Sequence, residues 1–171
     1  MSQRHSGYAR AAFDQYETPE WVTAALLPRI PKGSLIWEPA CGSGKMARVL
    51  NAHYATDIQT GTDFLTCFSR DADAIITNPP YGLATEFILR ALALMEPEKG
   101  MVAMLLRTDF DHAKSRRRLF ADHPAFAEKL VLTKRIRWFE DSKLSSSFNH
   151  AWFIWDWRNA RSPVISYHFE D

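Results

Sequence analysis

Ser34-Leu35-Ile36-Trp37-Glu38-Pro39-Ala40-Cys41-Gly42-Ser43-Gly44-Lys45 is the stretch from which the fold can be read. Its first five residues are a short apolar run, expected as a buried strand. Pro39 and two glycines break that run before residues 45–50 resume as a helix. A strand feeding a helix through a glycine turn starts a βαβ unit, and such turns lie at the carboxyl edge of a parallel sheet, where ligands bind. The glycines let backbone come close to a ligand, and the free amides of the helix start attract a carboxylate. A tight turn needs glycines in any case, so it is position that gives this loop weight. It is not a phosphate-gripping loop, because Gly44-Lys45 is followed by Met46 instead of Ser or Thr.

Outward from that loop, further strands are expected at 53–57, 63–65, 74–78, 101–106, 126–132 and 151–157. Helices are expected at 20–28, with Thr18 as N-cap and Pro19 at the first helical position, at 85–95 and at 112–121. Phe87, Ile88, Ala91, Leu92 and Met95 follow the helical period. Strands alternating with helical patterns imply a parallel sheet covered on both faces.

The chain has 171 residues, 46% of them apolar and 24% charged, with a net charge of +1. One soluble domain is expected, able to bury about 70% of its unfolded surface. That charge provides no global attraction for nucleic acid, so any such binding has to use local patches. Cys41 and Cys67 make no disulfide framework and read as reduced thiols of a cytoplasmic protein. Neither has a Cys or His partner at ligand spacing, so no metal is expected. No apolar run approaches the roughly 18 residues of a membrane span. Residues 1–15 are polar and basic and read as a mobile arm, not a signal peptide.

Asn78-Pro79-Pro80-Tyr81 closes the apolar run Ala74-Ile75-Ile76-Thr77. Pro79 has no amide hydrogen and pushes Asn78 toward extended geometry; Pro80 does the same to Pro79. The strand must stop there, with its carbonyls turned from ladder pairing. Asn78 offers a side-chain carbonyl acceptor, and Tyr81 a ring on which a base could lie. The set suits holding a planar amine for alkylation; a Pro-Pro strand terminator beside a surface Tyr is the plainer alternative. Asp57 could accept hydrogen bonds from ribose hydroxyls, or act only as a turn cap. Asp63-Phe64 would suit an adenine ring, the carboxylate taking its amino group and Phe64 its face, or be a turn Asp beside a core Phe.

Together these residues resemble the S-adenosylmethionine-dependent amino-methyltransferases that act on adenine or cytosine in nucleic acids. Tyr16-Glu17-Thr18-Pro19 is similar to the family's amino-terminal cofactor segment, Glu38 to Gly44 to its glycine loop, Asp57 and Asp63-Phe64 to its next two cofactor positions, and Asn78 to Tyr81 to its catalytic tetrapeptide. The order is like that of the family's gamma group, and the resemblance spans residues 16 to about 157. It implies S-adenosylmethionine as cofactor, held by Tyr16, Thr18, Glu38, Pro39, Ala40, Cys41, Gly42, Gly44, Asp57, Asp63, Phe64 and Asn78. It implies Asn78, Pro79, Pro80 and Tyr81 as catalytic residues. The fold implied is α/β: a Rossmann-like seven-stranded sheet whose last strand, 149–157, is antiparallel, with helices on both faces. Relatives that read a DNA sequence usually carry a separate recognition domain. Residues 16–171 read as one methyltransferase domain without it, so base specificity is expected to be slight, supplied by loops, or lent by a separate partner.

The implied reaction is methyl transfer to an exocyclic amine of a nucleic-acid base, first of all N6 of adenine in DNA. Rival readings are amino-methylation of adenine or guanine in RNA, methylation of a protein glutamine amide, and a catalytically silent cofactor-binding subunit. Lys114, Arg116, Arg117 and Arg118 on one expected helix, and Lys134, Arg135 and Arg137 before Trp138, could flank the ligand edge and grip phosphates, or be solvated faces. Residues 140–149 read as a loop. In the family such a loop can supply a second aromatic against the flipped base, here Phe148 or Trp138. Trp152, Phe153, Trp155 and Trp157 read as core, with Ile154.

Overall fold

A computed structural model describes residues 16–68, 71–138, 148–159 and 161–169. The arm expected at 1–15 and most of the loop expected at 140–149 lie outside them. The main elements are α1 (Glu20–Ala24), β1 (Ile36–Glu38), α2 (Lys45–Leu50), β2 (Tyr54–Ala55), β3 (Ala74–Thr77), α3 (Ala84–Glu98), β4 (Met101–Arg107), β5 (Phe126–Leu132), β6 (His150–Asp156) and β7 (Val164–His168), joined in part by 3-10 turns. The strands form one seven-stranded sheet in the order β2-β1-β3-β4-β6-β5-β7. Its pairs are parallel except at β6, which runs against both β4 and β5. β6 is the antiparallel strand expected at 149–157.

The pleat sends alternate residues of each central strand to opposite faces. Ile75, Val102, Met104, Leu106, Phe153 and Trp155 pack against Phe87, Ile88, Ala91 and Met95 of α3. Ala74, Ile76, Met101, Ala103, Leu105, Trp152 and Ile154 pack against Val22 and Leu26 at α1 and Met46 and Leu50 of α2. The core is therefore two-sided, which explains why β4 is apolar at nearly every position. The two most deeply placed indoles of β6 find backbone partners: Trp152 Nε1 donates to Val22 O at 2.8 Å and Trp155 Nε1 to Leu119 O at 2.6 Å.

Four expectations are corrected. No strand forms at 63–65; Asp63 Oδ1 accepts from Leu65 N at 3.0 Å, and its carbonyl accepts from Thr66 N and Cys67 N at 3.1 Å. The Asp side chain offers the backbone a local turn that competes with ladder pairing. The seventh strand is β7 instead, beyond the point where the sheet was expected to end. Residues 112–121 are not an α-helix but 3-10 turns at Phe110–His112 and Lys114–Leu119, with Ala113 extended between them. Their four basic residues give no apolar stripe for a helix to bury. Finally, Thr18 does not cap α1. Pro19 occupies the N-cap, no side chain caps the helix, and α1 ends at Ala24, ahead of a 3-10 turn at Leu27–Arg29 that carries Pro28 near its start.

Candidate active site

The carboxyl ends of β1 and β3 are neighbours, while the chain leaves β1 for β2 on one side and reaches β3 on the other. Sheets of this kind open a crevice at such a switch point. A cavity of about 540 Å³ lies there, lined by Tyr16 to Thr18, the loop after β1, residues 57–59 and 62–65, and Asn78, Pro80, Leu83 and Phe87. That volume is within the roughly 300–1,000 Å³ of small-molecule sites. The glycine loop reaches its shape through left-handed backbone at Gly42 (φ 51°) and Gly44 (φ 81°), and Gly44 N donates to Cys41 O at 2.7 Å.

Part of the cavity wall is acidic. Both Asp57 carboxylate oxygens accept backbone amides, Oδ2 from Gly42 at 2.9 Å and Oδ1 from Gln59 at 2.9 Å. Asp57 thus ties the glycine loop to the end of β2 and caps a 3-10 turn while still lining the cavity. Glu38 is 2% exposed, and its Oε2 has no hydrogen-bond partner. Burial, with the Asp57 charge adding to it and a backbone hydrogen bond from Ala47 opposing it, pushes the Glu38 carboxyl up to about 8. The Cys41 thiol is also raised, by burial first and then by Glu38 and Asp57. Asp63 lines the cavity as a turn residue. Phe64 is a core ring, T-shaped to Trp37 at 5.2 Å and tilted to Phe87 at 5.0 Å, that also borders the cavity.

A neutral part of the wall is built on Asn78. Its amide nitrogen donates to Tyr16 O at 3.3 Å and Thr18 Oγ1 at 3.2 Å, leaving Oδ1 buried without a partner. A backbone carbonyl only accepts, so the Tyr16 contact decides which end of the amide is nitrogen. Pro79 is buried and Pro80 lines the cavity. The Tyr81 ring stacks on His150, with centroids 6.0 Å apart and planes at 22°. His150 is 2% exposed; burial first, then Arg107, lower its imidazole to about 4, so it is neutral at ordinary pH. Trp138 meets His150 edge-on at 5.2 Å and Tyr16 at 5.5 Å. A line of rings thus runs from Tyr81 to the amino-terminal segment.

The remaining expected residues divide. Gly44 shapes the loop without lining the cavity, and Tyr81, Trp138, Phe148 and the basic residues also lie outside its wall. Phe148 carries the Arg107 guanidinium 3.7 Å above its ring, and Arg107 is paired with Asp109 at 2.6 Å. Arg116 is used internally, donating to Phe110 O at 2.8 Å and lying 3.8 Å over the Phe110 ring, and Arg117 pairs with Asp122 at 2.9 Å. Arg135 donates to Asn149 Oδ1 at 3.1 Å; Ile136 and Trp138 turn inward while Arg135 and Arg137 point outward. Sequence reading missed Ile58, which lines the cavity yet is 65% exposed. Its signal was available: an apolar residue directly after an acidic strand end.

No known protein-family profile matches this sequence, and no curated protein does. Solved structures match in fold. A type I restriction-modification methyltransferase subunit from Streptococcus thermophilus aligns with TM-score 0.56 at 14% identity, over 82% of this chain and 44% of its own. Precorrin-6y C5,15-methyltransferase from Geobacter metallireducens aligns with TM-score 0.56 at 16% identity, over 85% and 93%. A dimethyladenosine transferase from Plasmodium falciparum aligns with TM-score 0.52 at 12% identity, over 83% and 62%. The fold is that of these methyltransferases. This chain spans less than half the length of the restriction-modification subunit. Among the described residues, no helix is long and apolar enough to cross a membrane, and no group of three or more His, Cys, Asp or Glu could hold a metal ion.

Proposed function

We propose that this protein transfers a methyl group from S-adenosylmethionine to the exocyclic amino group of a nucleic-acid base, N6 of adenine in DNA before others. The observation that carries the reading is the unpartnered Asn78 Oδ1, a buried acceptor on a residue that lines the same cavity as Glu38, whose Oε2 is also unpartnered. Of the described residues with a buried, unpartnered side-chain polar atom, Glu38 and Asn78 are the ones that line the cavity, where a ligand could complete their bonding.

The donor set fits this cofactor. Glu38 Oε2 suits its ammonium group, Lys45 and the glycine-loop amides its carboxylate, and Ile58, Phe64 and Leu65 the faces of its adenine, with Asp63 beside them. Asp57 reaches ribose hydroxyls only with lone pairs left over from two amide bonds, so its first role here is to shape the loop. Bound there, the cofactor supplies an electrophilic methyl on positively charged sulfur.

An adenine amine is a poor nucleophile because its lone pair is delocalised into the ring. Asn78 Oδ1 accepts one amine hydrogen and the Pro79 carbonyl a second, which favours pyramidal nitrogen and aims the lone pair into the cavity. Pro79 and Pro80 hold those acceptors rigidly, so positioning and preorganised dipoles do most of the work. The nitrogen becomes acidic as it is alkylated, and no strong side-chain base is called for. Tyr81, backed by His150, offers a stacking face to a base flipped from its duplex. Incubating the protein with labelled S-adenosylmethionine and separate DNA, RNA and protein pools tests the reading. Label in N6-methyladenine of the DNA pool is expected; label confined to RNA or protein replaces the substrate, and no label in any pool ends the proposal.

A further inference from the structure

Asn78 is held by a segment about sixty residues earlier in the chain. An asparagine amide is nearly symmetric in shape, so packing alone does not decide which end is oxygen and which nitrogen. Hydrogen bonds do. Flipping the amide would set Oδ1 against the Tyr16 carbonyl, two acceptors with no hydrogen between them. It would also turn the amide hydrogens toward a substrate amine that itself donates.

We propose that Thr18 is a positioning residue for methyl transfer, supplying the second acceptor that holds the Asn78 amide in the orientation set by the Tyr16 carbonyl, with its oxygen left for the substrate. The inference rests on the reading of Asn78 Oδ1 as the amine acceptor. Tyr16 O takes one amide hydrogen at 3.3 Å, and Thr18 Oγ1 takes another at 3.2 Å. Thr18 is 4% exposed, so water hardly competes for that hydroxyl, and without it the second hydrogen would be buried unbonded. A separate observation agrees. Thr is a favoured helix cap, yet Thr18, one residue ahead of the α1 N-cap, contributes no cap, and α1 begins with no side-chain cap at all. Its hydroxyl is spent on Asn78. An amide fixed as acceptor selects exocyclic amines and rejects a base carbonyl at the same place.

Three variants test this: Thr18→Val removes the acceptor at similar volume, Thr18→Ser keeps it, and Thr18→Ala serves if Val does not fold. Hydrogen exchange of the Asn78 side-chain amide, followed by NMR on the free protein, reads the lock without cofactor or substrate. Exchange is expected to rise roughly 10-fold in the Val or Ala variant, the loss of about one hydrogen bond, and to stay near wild type in Ser. With substrate, kcat is expected to fall roughly 10-fold while cofactor Kd moves less than about 3-fold, and Ser recovers most of the loss. Unchanged amide exchange, or equal losses in kcat and cofactor affinity, overturns the proposal. A wild type that methylates nothing removes the functional reading, and the exchange measurement still decides the lock.

Discussion

Two sets of residues in the cavity wall solve opposite problems. At the glycine loop the Glu38 and Asp57 carboxyls lie close together; Asp57 is satisfied by backbone amides, and buried Glu38 is left as a proton-retaining acid. At the tetrapeptide the functional group is a neutral amide, its nitrogen held by two acceptors and its oxygen buried without a partner. An acidic pocket stabilises a cationic ligand, whereas a neutral acceptor polarises an amine N–H and leaves more electron density on nitrogen without charging it. On the proposed reading, binding and chemistry fall to different residues, and substitutions at each should separate them.

The largest expected effect is at the neutral amide. Asn78→Ala should slow methyl transfer by roughly 100-fold or more, by analogy with losing one preorganised dipole, with cofactor Kd measured by calorimetry nearly unchanged. Parallel loss of cofactor binding would erase the division between the two sets. Next is the acidic set, where Glu38→Gln should weaken cofactor binding roughly 30-fold at pH 8, the scale of a hydrogen bond to a charged group. In the wild type a cationic ligand selects ionised Glu38, so binding releases a proton. Affinity should then rise with pH, roughly 10-fold per unit, and level off above about 8. Stability runs the other way. The folded pKa is raised from 4.5, so this group's contribution is complete below 4.5 and is lost as pH climbs to about 8. Urea unfolding across that window should show a slope that the Gln variant lacks.

Smaller effects test the surround. Tyr81→Ala should weaken nucleic-acid binding roughly 10-fold, within the ~1–3 kcal/mol of base stacking, and leave cofactor Kd alone. The two basic clusters should differ most subtly. Arg135→Ala and Arg137→Ala should each weaken DNA binding a few-fold and reduce the salt slope by about 0.9 per phosphate lost. Arg117→Ala should leave that slope unchanged, because its guanidinium is already paired with Asp122 at 2.9 Å.

Much of this was legible in order along the chain. β3 and β4 are nearly continuous apolar runs, α3 carries a clean helical period, and the glycine turn and Pro-Pro stop are local instructions that few conformations satisfy. Where local signals conflicted, reading failed. Asp63 prefers its own turn to the strand that its neighbours suggest, and the basic run at 114–118 lacks an apolar face to make it helical. β7 was hidden because, as an edge strand, it buries little: Val164, Ile165 and Tyr167 are all more than half exposed.

The sequence by itself determined where the strands stop, which turn needs glycine, and that an asparagine closes β3, since these depend on backbone sterics within a few residues. Tertiary structure alone decided that the Asn78 nitrogen is taken up while its oxygen is left over, that Asp57 spends itself on Gly42 and that Glu38 Oε2 has no partner. The physical reason is that hydrogen-bond satisfaction is counted over groups that meet only after folding, and no local pattern records which of them will be left over.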